Sequence, residues 1–240
     1  MTENNFSSEQ LLQYWQDVKQ AVATASAAVN RDPVTLLAVS KTKPAQMVAT
    51  LATAGQQHFG ENYLQEAVDK IAQVKQLLAQ TTEGARQNVV WHYIGHIQRN
   101  KTRDIAQVFD WVHTIERDII AKRLNDQRPE GLPKLNVLIQ VNIDQEESKS
   151  GCLPQELDSL VASVKGYDNL CLRGLMIIPS KEGSDAFERT KQLFDQMQQA
   201  HPELTQWDTL SMGMSADMTE AIAHGSTMVR VGSAIFGARE

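Results

Sequence analysis

The sequence predicts an α/β fold in which eight strand-then-helix units close into one (β/α)8 (TIM) barrel behind a single extra N-terminal helix. Three observations carry that prediction. Short apolar runs alternate with amphipathic segments along the 240 residues, and the connections between them are short. No Gly/Ser-rich linker, internal repeat or low-complexity segment marks a boundary, so residues 1–240 are expected to form a single domain. An open doubly wound sheet is the alternative, because counting strands does not establish closure.

Taking the elements in order, Ser7 and Gln10 form a capping box at the start of the first helix, with Phe6 and Leu11 as its hydrophobic staple. That helix runs to about Val29, and Arg31-Asp32-Pro33 breaks it before a strand over Val34–Ser40. Pro44 suits the first turn of the next helix, which reaches about Ala54, because its missing N–H would be unpaired there. Gln57–Gly60 leads into a long helix whose Leu64, Ala67, Val68, Ile71, Val74, Leu77 and Leu78 follow helical spacing. After the polar loop Thr81–Asn88 come strands over Val89–Ile94, Phe109–Ile115, Leu135–Ile143 and Leu170–Ile178. Their helices run from Gln98 to about Ala106, Glu116 to about Gln127, Pro154 to about Val164 and Ser184 to about Ala200. Trp207–Ser211 and Thr227–Val231 are the last strands, followed by helices over Ser215–Ala223 and from Ser233 to about Ala238.

A net charge of −6 argues against a nucleic-acid binder, which would present a basic face. The polar N-terminus lacks an apolar signal region and no run is long enough to cross a bilayer, so a cytoplasmic protein with no membrane partner is expected. Cys152 and Cys171 are too few for a disulfide framework and too far apart for a Cys-x-x-Cys site; both are read as reduced.

In such a barrel the site lies at the C-terminal ends of the strands. Lys41 ends the first strand there, and a lysine at the mouth of an apolar site near another cation can become a neutral amine that condenses with aldehydes. The plain alternative is a solvated lysine that ends a strand. Ser211-Met212-Gly213-Met214-Ser215 and Gly232-Ser233 put small residues and backbone N–H groups at helix starts, an arrangement that holds a phosphate dianion. Together with Lys41 they call for a ligand carrying both a phosphate and an aldehyde. Arg230 shares a strand face with Gly232 and needs either a carboxylate or a ligand inside the barrel. Lys43, Lys101 and Lys149 lie near strand ends, as solvated rim charges or, for Lys43 and Lys149, as alternate amines for loading and release. His92 and His96 have a zinc-like spacing, but on a strand running into a loop, so no metal is expected; His58 and His113 read as packed or hydrogen-bonded barrel residues.

Seven stretches carry a family resemblance: Ala38-Val39-Ser40-Lys41-Thr42-Lys43-Pro44, Phe59-Gly60-Glu61-Asn62-Tyr63, Trp91-His92-Tyr93-Ile94-Gly95 with Gln98-Arg99-Asn100-Lys101, Ser148-Lys149-Ser150-Gly151, Arg173-Gly174-Leu175-Met176, Leu210–Ser215, and Val229-Arg230-Val231-Gly232. In this order they resemble the pyridoxal phosphate homeostasis proteins over nearly the whole chain. At His96 the chain departs from that family's usual Gly-Pro-Leu-Gln, reading Gly95-His96-Ile97-Gln98. The resemblance implies an alanine-racemase-like barrel holding pyridoxal 5′-phosphate as a Schiff base on Lys41. It further implies Arg230 beside the pyridine nitrogen, Asn62 near the cofactor, and phosphate held by Ser211, Met214, Ser215, Gly232 and Ser233.

An arginine at that nitrogen disfavours ring protonation and weakens the ring as an electron sink. A racemase would continue past Glu240 into a second domain that helps build a dimeric site and supplies a tyrosine base, whereas here only Tyr63 falls near the mouth. The expectation is a monomeric, non-catalytic carrier that buffers pyridoxal phosphate, with transfer to pyridoxal-phosphate-dependent apoenzymes as an extension of that role. A pyridoxal-phosphate enzyme, foremost an amino-acid racemase, is the second reading, and a cofactor-free Schiff-base aldolase the third.

Overall fold

Helix α1 (Ser8–Ala28) starts where its cap predicts: Gln10 N donates to Ser7 Oγ, and Ser7 N donates back to the Gln10 side chain. Leu11, Trp15, Val18, Val22 and Ala25 recur at helical spacing and are buried. The computed structural model describes residues 7–32, 34–84, 87–180 and 185–238. The expected Phe6 staple, the Pro33 break, the Ser184 helix start and part of the Thr81–Asn88 loop lie outside the described residues.

After α1 the chain alternates strictly: β1 (Thr35–Val39), α2 (Ala45–Thr53), β2 (His58–Glu61), α3 (Leu64–Ala79), β3 (Val90–Tyr93), α4 (Thr102–Val108), β4 (Trp111–Ile115), α5 (Asp118–Gln127), β5 (Leu135–Gln140), α6 (Leu157–Val164), β6 (Leu170–Met176), α7 (Ala186–Ala200), β7 (Thr209–Ser211), α8 (Met218–Ala223), β8 (Met228–Val231) and α9 (Ser233–Phe236). All neighbouring strands pair in parallel, and β8 returns to pair with β1 through Leu37 opposite Arg230 and Ala38 opposite Val231. The sheet is therefore a closed barrel rather than an open doubly wound sheet.

The strand faces turned outward pack Leu36, Ala38, Phe59, Trp91, Val112, Val137 and Val229 into one core with the helices. A smaller apolar group, Trp111, Leu138 and Met176, packs separately from that core. Since α8 and α9 are short, the 21-residue α1 packs against both and against α2, covering the barrel where its own ring of helices is thin. Trp15 Nε1 donates to Gln56 Oε1 at 2.8 Å, and Gln56 Nε2 donates to the carbonyls of Leu36 and His58, which ties α1 to the start of β1 and β2.

Several boundaries differ from expectation, and three have a visible local cause. Pro44 is the extended N-cap of α2 (φ −62°, ψ 148°) rather than its first helical residue. Helix α8 begins at Met218 instead of Ser215, because Asp217 turns back to accept from Met214 N. Strand β5 ends at Gln140 instead of Ile143: Val141 makes only an isolated bridge to Cys152, and Asn142 bonds Glu146 N and O, folding the chain into a loop. Among the described residues no helix is long and apolar enough to cross a membrane, and Cys152 and Cys171 are both free thiols.

Candidate functional site

A cavity of about 320 Å³ opens at the C-terminal ends of the strands, within the range of small-ligand pockets. Lys41 and Lys43 reach it from beyond β1, Asn62 from beyond β2, Met214 and Ser215 from beyond β7, and Arg230 from β8, with Gly232 and Ser233 at the start of α9. Val39, Ile94, Met176, Ile178 and Phe236 make its apolar walls. Seven of the eight residues expected at a cofactor site thus line one cavity. Ser211 is the exception.

Lys41 is not the last residue of its strand. It is the second residue of a tight turn closed by Lys43 N donating to Ser40 O at 3.0 Å. The third residue, Thr42, has φ 62°, a left-handed conformation costly for a β-branched side chain and usually reserved for glycine or asparagine in such turns. Thr42 N donates to Glu66 Oε1 at 2.5 Å, so the strained residue is tied to α3. Lys43 Nζ donates to Ala238 O at 2.9 Å across the cavity mouth.

Arg230 is buried and held by neutral oxygens: one terminal nitrogen donates to Ser211 O at 2.7 Å and Ser211 Oγ at 2.9 Å, the other to Ile177 O at 2.8 Å. Burial pulls its pKa down to about 10, partly opposed by Asp217, so it remains a cation at neutral pH. Ser211 is fully buried beneath it and does not line the cavity. Ser211 therefore stands apart from the other expected phosphate residues: its hydroxyl accepts from Arg230 and lies 3.1 Å from His113 Nδ1.

From Ser211 a line of imidazoles descends through the barrel. His113 Nε2 lies 2.9 Å from His92 Nδ1, and His92 Nε2 lies 2.9 Å from His58 Nδ1. The register explains the diagonal: Gly60 of β2 and Trp111 of β4 stand opposite His92, so His58 is one inward step below it and His113 one above. Desolvation lowers the pKa of His58 and drives those of His92 and His113 well below the usual histidine value, helped for His113 by Arg230. All three are neutral at pH 7. An arginine only donates, so Ser211 Oγ accepts there, and its own proton has His113 Nδ1 as acceptor; each imidazole then donates from Nε2 to the next Nδ1.

Among the described residues Asn62 Oδ1 is buried without a hydrogen-bond partner, an acceptor that a ligand donor would satisfy. Asn62 sits where it does because the chain runs tightly past Gly95, at which a Cβ would fall 2.1 Å from Asn62 O. Of the backbone donors expected for a phosphate, Met214 N is taken by Asp217 Oδ1 at 2.5 Å. At the start of α9, Ile235 N and Phe236 N donate to Gly232 O at 2.9 Å, so Ser233 N and Ala234 N are the N–H groups that precede any acceptor in the helix.

The other singled-out residues stand elsewhere. Tyr63, which precedes α3, is 53% exposed and absent from the described cavity lining, as are Lys101 and Lys149, the latter paired with Glu146. His92 points into the barrel, whereas His96 is exposed beside Glu116, so their spacing brings no ligand pair together. The acid–base groups that sequence reasoning left unassigned are Glu61, Glu66 and Lys70. Lys70 Nζ is buried between Glu61 Oε1 (2.7 Å) and Glu66 Oε1 (2.8 Å), directly beneath the Lys41 turn. Glu61 and Glu66 lie in and just after the quoted Phe59–Tyr63 motif, and Lys70 is four residues beyond Glu66 on α3; that spacing was their only signal in the sequence.

A closed parallel barrel with a basic cavity over its strand ends defines a class. Residues 15–240 match the family model for the alanine racemase N-terminal domain. Three alanine-racemase-class and related structures set the range of likeness. The chain is 30% identical to PipY of Synechococcus elongatus PCC7942 solved without PLP (TM-score 0.81, covering 95% of this chain and 100% of that one) and 29% identical to PipY with PLP bound (TM-score 0.80, same coverage). Against alanine racemase from Corynebacterium glutamicum it is 16% identical with a TM-score of 0.64, covering 93% of this chain and 61% of that one, a likeness of fold alone. Among curated proteins, the chain is 51% identical over 230 residues to the pyridoxal phosphate homeostasis protein of Escherichia coli K12 (93% of this chain, 94% of that one). It is 49% identical over 229 residues to that of Haemophilus influenzae (92% and 93%). The chain belongs to the alanine racemase N-terminal domain family and, within it, to the pyridoxal phosphate homeostasis proteins.

Proposed function

We propose that this chain is a single-domain, monomeric, non-catalytic carrier that binds pyridoxal 5′-phosphate as a reversible Schiff base on Lys41 and serves its homeostasis in the cytoplasm. The observation that carries the reading is the joint lining of one cavity by Lys41, Asn62 and Arg230 with the start of α9. The donor set suits a phosphorylated aromatic aldehyde. Lys41 offers an amine, α9 and the two lysines offer anion contacts, Asn62 Oδ1 needs a donor, and apolar walls suit a ring.

When bound, pyridoxal phosphate supplies an electrophilic aldehyde carbon. The Lys41 amine adds to that carbon, a C=N bond forms and the aldehyde oxygen leaves as water; hydrolysis reverses every step and returns the ligand unchanged. Arg230, cationic and held by neutral oxygens, disfavours a second positive charge on a ring nitrogen facing it. No tyrosine, histidine or carboxylate stands among the described residues that line the cavity. Racemisation needs proton transfer on both faces of a substrate carbon, and this lining supports holding a ligand more than turning one over. Carriage to apoenzymes belongs to the same proposal, since a reversible linkage can be released to another amine.

Borohydride reduction of the pyridoxal-phosphate-loaded protein followed by peptide mass mapping tests the assignment. The adduct is expected on Lys41 and lost in Lys41→Ala; label chiefly on Lys43 or Lys149 in the wild type would overturn it. Turnover of any D- or L-amino acid at ordinary enzymatic rates would favour the racemase reading instead.

A further inference from the structure

Two lysines, Lys41 and Lys43, line the same cavity from one short turn, so something must decide which amine a ligand meets. Beneath that turn lies a buried charge cluster that the cavity does not use. Ser40 Oγ donates to Glu61 Oε1 at 2.6 Å, and Lys70 Nζ donates to Ser40 O at 2.6 Å, to Glu61 Oε1 and to Glu66 Oε1. Glu66 Oε1 in turn accepts from Thr42 N. The residues on both sides of Lys41 are thus gripped, Ser40 through its hydroxyl and carbonyl and Thr42 through its amide, by three side chains of β2 and α3 that are linked through one ammonium. Glu61 is fully buried and Lys70 is 5% exposed, so their contacts are desolvated and geometrically demanding, while Glu66, 31% exposed, reaches from the edge of the cluster to the exposed Thr42 amide.

We propose that Glu61, Glu66 and Lys70 are positioning residues that hold the Lys41 turn in its strained form and thereby select Lys41 over Lys43 as the ligating amine. The turn supplies the mechanism. Thr42 adopts φ 62° only while its amide is held by Glu66, and relaxation to a negative φ would rotate the chain on either side of it, redirecting both lysines. In the gripped turn Lys41 and Lys43 flank Thr42, with Lys43 Nζ set toward Ala238 O, so the fixed Thr42 backbone sets the direction of both side chains. The proposal rests on Lys41 carrying pyridoxal phosphate.

The test compares wild type, Glu66→Ala and Lys70→Met in two measurements. In the ligand-free proteins, amide hydrogen exchange at Thr42 is expected to be about tenfold faster or more in Glu66→Ala than in wild type, because its acceptor is gone. In proteins loaded with pyridoxal phosphate and reduced with borohydride, the ratio of Lys43 to Lys41 adduct is expected to rise about tenfold in either variant, equivalent to about 1.4 kcal/mol of lost selectivity. Loss of stability alone would lower total adduct without moving it between two lysines. Unchanged Thr42 exchange, or an unchanged adduct ratio in Glu66→Ala, overturns the inference even if Lys70→Met fails to fold. An absence of adduct on either lysine in the wild type would instead overturn the proposed function, leaving the exchange measurement to decide whether the grip exists.

Discussion

Replacing Ser211 by alanine separates its two candidate roles, as a phosphate contact and as the support of Arg230. The substitution removes one oxygen from a fully buried position and leaves Arg230 its carbonyl partners at Ser211 and Ile177. Two contacts disappear: the charge-assisted one from Arg230 at 2.9 Å and the one to His113 Nδ1 at 3.1 Å. The first is worth about 1.5–3 kcal/mol and stranding the buried imidazole nitrogen costs about 1–3 kcal/mol; since the two share one oxygen they do not add fully, and ~2–4 kcal/mol is expected. For a chain of this size a loss of 1 kcal/mol lowers Tm by about 2–4 °C, so the melting point should fall by roughly 4–16 °C. Calorimetry on the ligand-free protein reads this directly, and a shift under about 2 °C would refute the hydrogen-bonded line through Ser211. Pyridoxal phosphate affinity should fall while competition by inorganic phosphate is unchanged. A matching loss for inorganic phosphate would restore Ser211 as a phosphate contact.

Two further perturbations follow from the same geometry. The imidazoles of His92 and His113 have pKa values well below 6.5 when folded, so below pH 6.5 the unfolded chain binds protons that the native chain refuses. Stability is therefore complete above about pH 6.5 and falls as the pH drops, by up to ~1.4 kcal/mol per pH unit for each histidine. Urea midpoints between pH 7 and 5 should show this slope. His113→Gln, which keeps a neutral donor and acceptor, should reduce it by about one proton's worth, and an unaltered slope would mean His113 titrates normally. Asn62→Ala removes an acceptor that is buried without a partner, so the ligand-free protein should melt no lower than wild type while pyridoxal phosphate binds about tenfold more weakly. A drop of several degrees in Tm without a change in affinity would show that Asn62 serves the fold instead.

Much of this could be read from the chain because the signals were local. The capping box at Ser7, the apolar runs of β1 and β5 and the helical spacing of α3 each lie within one turn or strand. Placing Lys41, Arg230 and Gly232 on one face needed only the rule that barrel sites lie at strand ends, whereas Asn62 entered through the family resemblance. What stayed hidden depends on register. His58, His92 and His113 look like unrelated packed residues until adjacent strands are staggered by two residues, which turns them into one line. The position of Ser211 is hidden for a related reason: it ends β7 facing inward, below Met214 and Ser215 that open onto the cavity, and period two alone does not say how far up the barrel a strand stops. The grip on the Lys41 turn is hidden because Glu66 and Lys70 resemble ordinary helix-surface charges, and Glu61 a strand-end one, until α3 is packed over β1 and β2.

The pairing of β1 with β8 bears on how the molecule is made. Lys43 and Ala238, which meet at the cavity mouth, are 195 positions apart, so a ribosome delivers one side of the site long before the other. Until β8 docks, a nascent chain has the lysines but neither Arg230 nor the start of α9, and the barrel edge at β1 stays open. In the proposed role, an early chain exposes reactive amines to free aldehyde without the enclosure that gives the ligand back. Capture that depends on β8 would make pyridoxal phosphate a reporter of barrel closure, and a ligand that rewards only closed barrels.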